Sequence, residues 1–510
     1  MKKRIFNKLT LLLFFTFIFC NEVSLNNAEN IAKKLLIEFS SFNEVEIESI
    51  NIKEANQKII MYIFNFHPSG YAIISGDDRL MPVIGYSINS NIEIKNLPPQ
   101  LDYIIDSYSL NIIDVIDNDI QPNEHIKSLW NKFLSNENLR DEQFREISPL
   151  ITANWNQGGE WNDLCPGNSV VGCVAVAMGQ VMHYWEYPNE GFGYSQYYDP
   201  EYGVISVNFE EYTYNFSAME DDYATYDSQL LLYHAGVAVH MDYSPWGSGA
   251  SVCWDGPSAQ NALDVNFQYN NDITCEVKIN YSDEEWELKM KDQLDRGWPM
   301  VYRGYSEDAG HAWNIDGYQN MLRNNYFHCN WGWGGSANGY FYFDNLNGGG
   351  YNFIENQAAL LNIIPDNINP PVALFEFSIE DLTVEFTDLS FLINDDNLTG
   401  WYWDFGDDLT SILQSPVHSY DDYGSYTVNL ITTSEYGFDS NPHIEVIELL
   451  NLIGDINNDN TVDILDVVYL VEILLSNTSF QDSELLEIDL NNDNQINIID
   501  IVLLVQIILN

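Results

Sequence analysis

Cys173 stands in the stretch "NSVVGCVAVAMGQVMHYW" (Asn168 to Trp185), directly after Gly172 and ahead of an apolar run. Val174, Ala177, Met178, Val181, Met182 and Trp185 recur at steps of three and four, which predicts one face of a buried helix with Cys173 in its first turn. Unpaired backbone N–H groups and the positive dipole end at that place favour a thiolate. A cysteine is also a small hydrophobe that can simply pack at the head of a core helix, so a nucleophile needs a base to go with it. His311, in "SEDAGHAWNIDGYQN", is predicted to head a strand that runs into a turn at Asp316 and Gly317. A histidine there can face a helix-borne cysteine and take its proton, giving the ion pair that cysteine nucleophiles use. "NYFHCNWGWGGSANGYFYFDN" predicts an adjacent strand over Tyr326 to Trp331, followed by glycines that let backbone approach closely. Asn330 is a candidate to orient the imidazole, and Trp331 or Trp333 to cover the pair from water. His328 alternates with Asn330 and is read as structural.

Other chemistries are less well served. The chain has no HExxH, and His234 and His240 lie six residues apart, the wrong spacing for a helical zinc site. A zinc set of His183, His234 and His240 is therefore disfavoured, and His234 and His240 are read as helix-face or loop residues. Of six cysteines, five (Cys165, Cys173, Cys253, Cys275 and Cys329) fall between residues 165 and 329 without a CxxC pair. An odd number leaves at least one thiol unpaired in that region, and the pairing of the rest stays open. The 20 Lys and Arg against 76 Asp and Glu give a formal charge of -56, a field that repels phosphate backbones and anionic lipid, so nucleic acid is excluded as a partner.

These residues need elements to hold them, and 510 residues predict three or four domains. Residues 1–22 combine a basic start with an apolar run from Leu9 to Cys20, a signal peptide that predicts a secreted, extracellular or cell-surface-associated protein. Cys20 could accept a lipid, but Phe19 stands where such a site wants a small side chain, so ordinary secretion is expected. No later run reaches 18 apolar residues, which predicts a mature chain without a transmembrane segment. Residues 23–145 hold a helical "NAENIAKKLLIEFSSF", the strand-like "KIIMYIFNF" and "GYAIISGDDRLMPVIGYS", and a helix-and-tail "EHIKSLWNKFLSNENLRDEQFRE". Residues 146–365 are rich in aromatics and glycine. After the linker "IIPDNINPP", residues 368–448 alternate as short strands of a β-sandwich, with Trp403, Phe405, Tyr426 and Val428 inward. Residues 452–510 carry two Asp/Asn clusters, each followed by an apolar helical run.

"GCVAVAMGQVMHYWEYP", "GHAWNIDGY" and "FHCNWGWGGSANGYF" resemble the three signature blocks of the streptopain family (peptidase family C10), secreted bacterial cysteine proteases with a papain-like fold. The resemblance implies an α+β peptidase in which Cys173 is the nucleophile and His311 the general base, with Trp331 and Trp333 beside the histidine. Asn330 remains a candidate for the third member of a papain-like triad. In "WNQGGEWNDLCP", Gln157 is the candidate oxyanion donor beside the Cys173 N–H. The same resemblance makes residues 23–145 an inhibitory propeptide removed near residues 140–150, and implies an endopeptidase acting on protein or peptide through an acyl-enzyme, with no cofactor in the catalytic step. The Gly-rich "SPWGSGASVCWDG" and "LNGGGYNF" are expected to edge the substrate groove. A noncatalytic extracellular protein-binding module that kept the fold is the alternative, and the presence of both Cys173 and His311 argues against it.

"GWYWDFGDDLTSILQSPVHSYDDYGSYTVNLITTS" resembles a PKD domain, an immunoglobulin-like sandwich expected to act as a spacer or in adhesion. In "DINNDNTVDILD", Asp455, Asn457, Asp459, Asp463 and Asp466 fall at loop positions 1, 3, 5, 9 and 12, with the Thr461 carbonyl at 7. "DLNNDNQINIID" repeats the pattern with Asp489, Asn491, Asp493, Asn497 and Asp500, and the Gln495 carbonyl. Oxygen-only ligands at this spacing suit Ca²⁺, although an EF-hand has Gly at position 6 and Glu at 12, where this chain has Asn and Asp. The loops and their helices resemble a dockerin domain, which implies calcium-dependent folding and a cohesin-like partner or retention at a surface.

Overall fold

Contacts divide the chain into two units, Met1–Ile368 and Asn369–Asn510. The structure is a computed structural model that describes residues 22–509 except 136, 141–143, 255, 306–309, 344–356, 367, 369, 381, 393–396, 450–453, 458–460, 477–487, 492 and 494. The signal-peptide run with Cys20, the "LNGGGYNF" loop and Asp459 lie outside the described residues.

The first unit opens with helix α1 (Leu25–Phe39), whose first turn is capped by Ser24 Oγ accepting the Asn27 N–H at 3.2 Å. Its buried residues, Ala28, Ile31, Ala32, Leu35, Leu36 and Phe39, make the apolar stripe that a half-buried helix needs. Strands β1 (Glu46–Ala55), β2 (Lys58–His67), β3 (Tyr71–Ser75) and β4 (Val83–Ser87) follow as an antiparallel meander. Helix α2 (Pro99–Asp117) begins with Pro at its first position, where the missing N–H costs nothing. The sequence reading made no prediction for this helix. Helix α3 (Glu124–Leu134) is capped by Asn123, and strand β5 (Glu146–Ile147) comes next.

The rest of the unit comprises α4 (Cys173–Trp185), the β6 (Tyr194–Asp199) and β7 (Gly203–Asn208) hairpin, α5 (Tyr226–Ala238), α6 (Ala259–Val265), β8 (Thr274–Val277), α7 (Asp283–Asp295), β9 (Met300–Tyr305), β10 (Gly310–Met321), β11 (Asn324–Asn330), β12 (Gly339–Phe341) and β13 (Ala358–Leu361). One sheet of 11 strands runs β1-β2-β3-β4-β12-β11-β10-β9-β13-β8, with β5 paired to β10. The N-terminal meander joins the later strands through β4 and β12, in the pairs Tyr86–Tyr340 and Gly85–Phe341. Two cores follow from this. One gathers the N-terminal segment with Trp286, Trp313, Trp331, Phe327 and Phe341; the other surrounds α4, α5 and α6.

Helix α4 is a buried helix, enclosed on all sides from Val174 to Met182. One local expectation is corrected. Asp316 and Gly317 lie inside β10, at a register shift, and form no turn. The Asp316 carboxylate is satisfied within the sheet by His328 Nδ1 at 2.6 Å and the Ile151 N–H at 3.1 Å. A Cβ on Gly317 would stand 2.7 Å from Ile147 O, so glycine is there to admit β5.

In the second unit, a three-stranded sheet (Phe375–Glu380, Thr383–Asp388, Val417–Ser419) and a four-stranded sheet (Thr410–Ser411, Leu398–Asp404, Gly424–Ser434, His443–Leu449) enclose Trp403, Phe405, Val428 and Leu430, with Tyr426 partly buried against them. Beyond them α8 (Ile464–Ser476) and α9 (Ile498–Leu509) pack on a core of Ile456, Leu470, Ile488 and Leu504.

Candidate active site

Cys173 is the first residue of α4, and Gly172 before it has φ +92°. A Cβ at Gly172 would meet Met241 Sδ at 2.7 Å and Ser248 O at 3.1 Å, so only glycine lets the chain turn into the helix here. The helix is held in place by a buried amide network. Gln180 Nε2 donates to Ala153 O at 2.7 Å and to Asn330 Oδ1 at 3.1 Å. Asn314 Nδ2 donates to Gln180 Oε1 at 3.0 Å and to Ala177 O at 3.2 Å. Asn330 Nδ2 donates to Ala153 O at 2.9 Å, and its Oδ1 also accepts the Gly332 N–H at 3.2 Å. The expectation that Asn330 orients the imidazole is corrected: among the described residues its amide bonds serve helix α4 and the Trp–Gly run, not His311. Buried amides must find partners, and here they tie α4 to β10 and β11. Gln180 and Asn314 were missed in the sequence, where each reads as one polar residue in an apolar run.

His311, the second residue of β10, lies opposite Gly304 of β9, and Ala312 lies opposite Arg303. The main-chain N–H groups of Ala312, Val174 and Cys173 favour the Cys173 thiolate, and Ala312 is the residue that follows His311. Burial is the larger influence and raises the thiol, with those N–H groups opposing it. Burial also lowers His311. Both shifts favour a neutral thiol beside a neutral imidazole, whereas the helix start alone led us to expect a thiolate.

The remaining candidates are placed as follows. Trp331 is fully buried, its indole donates to Ala337 O at 2.8 Å, and its ring lies 5.6 Å from Trp313. Trp333 is partly buried against the same core. A Cβ on Gly332 would come within 2.8 Å of Val176 Cγ1, so the run rests on the first turn of α4. The Gln157 carbonyl accepts the Val171 N–H at 2.8 Å, which brings residue 157 to the segment entering Cys173. His234 is buried with Nδ1 2.9 Å from Tyr214 Oη, and burial lowers it to about 4. His183 Nε2 meets Asp221 at 3.2 Å, and His240 stacks on Tyr197. Cys253 and Cys275 form a disulfide, while Cys165, Cys173 and Cys329 are free thiols.

The N-terminal segment reaches this place directly. Gln100, fully buried in the first turn of α2, donates Nε2 to Ala312 O at 3.1 Å and to Trp331 O at 3.2 Å. It thus bridges the main chain beside His311 and the Trp–Gly run. Tyr71 Oη donates to Ala337 O at 2.8 Å and Ser90 Oγ to Gly335 O at 3.0 Å. Nothing in the local sequence around Gln100 signals such a contact.

In the terminal module, Asp466 accepts the N–H groups of Ile456, Asn457 and Asp463 at 2.7–3.0 Å. Asp493 N–H donates to Asp489 Oδ1 at 3.1 Å and to Asn491 Oδ1 at 2.9 Å, and the Gln495 N–H donates to Asp493 Oδ1 at 2.9 Å. Asn497 N–H donates to Asp500 Oδ2 at 2.8 Å, while Asp500 Oδ1 is buried without a hydrogen-bond partner among the described residues. An all-oxygen set with an orphaned buried carboxylate oxygen fits a hard cation.

Comparison with known proteins agrees with this architecture. Residues 155–341 match the peptidase C10 family, residues 20–112 the Spi protease inhibitor family, residues 369–448 a PKD domain and residues 453–509 a dockerin type I domain. The chain is 25% identical to streptopain of Streptococcus pyogenes over 360 residues, which is 64% of this chain and 86% of streptopain. It is similar to prointerpain A of Prevotella intermedia at 28% identity, covering 62% of this chain and 100% of that one, with a TM-score of 0.50. With the active interpain A cysteine protease of the same organism it shares 32% identity over 43% of this chain and 95% of that one, with a TM-score of 0.38. A cysteine at a helix head beside a strand-borne histidine, on an α+β papain-like fold followed by PKD and dockerin domains, therefore belongs to the peptidase C10 family, and the chain is a cysteine peptidase.

Proposed function

We propose that the protein is an exported endopeptidase made as a zymogen. Residues 1–22 direct export, residues 23–145 cover the site, and residues 146–365 form the peptidase once cleavage near residues 140–150 frees them. The single observation that carries this reading is the position of Gln100, which links the main chain next to His311 to the Trp–Gly run from within the N-terminal segment. With the segment gone, the imidazole takes the Cys173 proton and the thiolate attacks a substrate peptide carbonyl. The Cys173 N–H and the Gln157 side-chain amide stabilise the oxyanion. Imidazolium His311 then protonates the leaving amine, and as a base it activates the water that hydrolyses the acyl-enzyme. Trp331 and Trp333 keep water from the pair.

Residues 368–448 act as a spacer or adhesive sandwich. In residues 452–510, Asp455, Asn457, Asp459, Asp463 and Asp466 with the Thr461 carbonyl, and Asp489, Asn491, Asp493, Asn497 and Asp500 with the Gln495 carbonyl, hold Ca²⁺, which supplies folding energy and no chemistry. The module docks on a cohesin-like partner or retains the enzyme at the cell surface. Among the described residues no helix is long and apolar enough to cross a membrane.

Cys173→Ser and His311→Ala, assayed on an unfolded protein after processing, are expected to lose about a thousandfold or more in turnover while circular dichroism is unchanged. Processing is to be done with an added protease so that it does not depend on the variant's own activity. A folded, processed Cys173→Ser enzyme working at the wild-type rate would overturn the assignment.

A further inference from the structure

Cys173 is carried by α4 and His311 by β10, so their separation depends on how the helix sits against the strand. From Val174 to Met182 the helix is buried on all sides, and Gln180 is the one polar side chain in that stretch. Apolar contact has no direction, and Met178 and Met182 adapt to whatever gap they meet. Packing alone therefore holds α4 in the core without fixing how far it slides or turns along β10.

Three buried amides supply the missing direction. Asn314 lies three residues after His311 on β10, and its Nδ2 donates to the carbonyl of Ala177, four residues after Cys173 on α4, at 3.2 Å. The same Nδ2 donates to Gln180 Oε1 at 3.0 Å, and Gln180 Nε2 donates to Asn330 Oδ1 on β11 at 3.1 Å. Main-chain groups at both ends leave each amide one orientation. The Ala177 and Ala153 carbonyls can only accept, and the Gly332 N–H, 3.2 Å from Asn330 Oδ1, can only donate. The bonds thus fix the offset of helix against strand one turn away from Cys173.

This is not the most stable arrangement open to these positions. Asn314 is fully buried, and its Oδ1 has no hydrogen-bond partner among the described residues. A buried acceptor left unmade costs the full desolvation of the group. Leucine at 314 with methionine at 180 would remove that acceptor and strand no other group. Ala153 O would keep Asn330 Nδ2, Asn330 Oδ1 would keep the Gly332 N–H, and Ala177 O would keep its helical bond. A second buried amide pair makes the contrast. Gln293 on α7 accepts the Asn362 N–H at 2.7 Å and donates to Asn362 Oδ1 at 3.1 Å, joining two elements that carry neither reacting residue.

We propose that Gln180 and Asn314 are positioning residues for the peptidase reaction: their amides set the register of α4 on β10, and with it the distance from the Cys173 sulfur to the His311 ring, at a cost in stability. This rests on the peptidase reading above. A displacement of about 1 Å at the reacting groups lowers the rate on the order of a hundredfold, so a directional tie between the two elements is worth an unsatisfied oxygen.

The test uses the full chain, processed with an added protease and with active sites counted by an irreversible thiol reagent. Wild type, Gln180→Met with Asn314→Leu, and Gln293→Met as the comparison are melted and assayed on one peptide substrate, and the rate of thiol alkylation is followed across pH. The double variant is expected to keep or raise the wild-type midpoint and to lose about tenfold to a hundredfold in kcat at unchanged KM. Its thiol should need a higher pH before it reacts, because a loosely placed imidazole stabilises the thiolate less. Gln293→Met should show the opposite pattern, a lower midpoint with wild-type kcat and thiol profile. A folded double variant with the wild-type kcat, or with a lower kcat and the wild-type thiol profile, overturns the proposal. So does an equal loss of kcat in Gln293→Met, since any buried amide would then serve. If the double variant does not fold, Gln180→Met alone is judged by the same two readouts, and its failure to fold would assign the amides to folding and overturn the proposal. A processed wild type that cuts nothing overturns the peptidase reading and this inference with it, whereas an active wild type matched by its double variant overturns this inference alone.

Discussion

The N-terminal segment and the C-terminal module flank the same peptidase in sequence, and they are built in opposite ways. The segment has no core of its own: its buried residues, from Val23 to Leu139, belong to one cluster with Trp313, Phe327 and Phe341 of the peptidase. Among the described residues the module has a small apolar core of its own, Ile456, Leu470, Ile488 and Leu504. A segment that shares a core is stable only where it sits, so its departure is a large event. A module with so small a core needs another source of folding energy, as small domains generally do. The difference teaches where each part draws its stability: one from the surface it covers, the other, in the function proposed above, from a bound ion.

The largest effect expected from this contrast is the removal of calcium. Chelation in the full chain should strip about 3–4 kcal/mol from the terminal module, the stabilisation given by a ligand present at a hundred to a thousand times its Kd. Calorimetry should show its transition fall while that of the first unit stays in place. A first-unit transition that moves by the same amount would erase the contrast.

A somewhat smaller effect is expected at the seam between β4 and β12. A Cβ on Gly85 would stand 2.6 Å from the Phe341 ring, so Gly85→Val overpacks the junction at a cost of about 2–3 kcal/mol. Because Gly85 lies in the covering segment, the substitution leaves the peptidase sequence untouched. The expected outcome is a lower midpoint for the first unit and faster processing, followed by gel electrophoresis, with the module unaffected. Slower processing would contradict the view that the shared core maintains latency.

The smallest effect is one of pH. Burial, with Asp77 adding to it and Arg79 opposing, raises Asp78 to about 6, and its Oδ1 is buried without a partner among the described residues. The folded segment therefore holds this proton more tightly than the unfolded chain does. Its stabilising contribution is full below the unfolded value near 4 and is lost as pH rises through about 6. Asp78→Asn should stabilise the first unit by about 1 kcal/mol at pH 7.5, after allowance for the solvent that reaches this half-buried group, and by nothing near pH 4. Calcium ligands must be deprotonated to bind, so the module should respond to acid with the opposite sign. Thermal melts of wild type and Asp78→Asn at pH 4.5 and 7.5 check both signs.

The placement of the candidate catalytic residues was the most legible part of the sequence because their signals are local. Gly172 and Cys173 at a helix head, His311 at a strand head and the Trp–Gly run each lie within a few residues of their own cue. The two loop patterns that follow Asp455 and Asp489 are legible for the same reason, since the spacing of oxygen ligands is itself local. What escaped was non-local or ambiguous. Helix α2 went unpredicted although its apolar residues are well spaced, and Gln100 gains its meaning only when Ala312 and Trp331, more than 200 residues away, come to meet it. Asp316–Gly317 has the composition of a turn, but the partners that make it strand are His328, Ile151 and the crossing of β5. Asn330 was read toward the histidine on the next strand, while the buried Gln180 amide takes its oxygen.

The seam between β4 and β12 has a consequence for the enzyme after its covering segment has gone. Among the described residues β12 is three residues long and meets β4 in two residue pairs, with the Tyr342 N–H donating to Ile84 O just beyond. Release therefore opens a sheet edge, which in a longer strand would invite another chain to add on and begin a fibre. An edge of three residues offers too few main-chain groups in a row to template such growth. The brevity of β12 lets the same border serve as a junction while the covering segment is in place and as a blunt rim once it has gone.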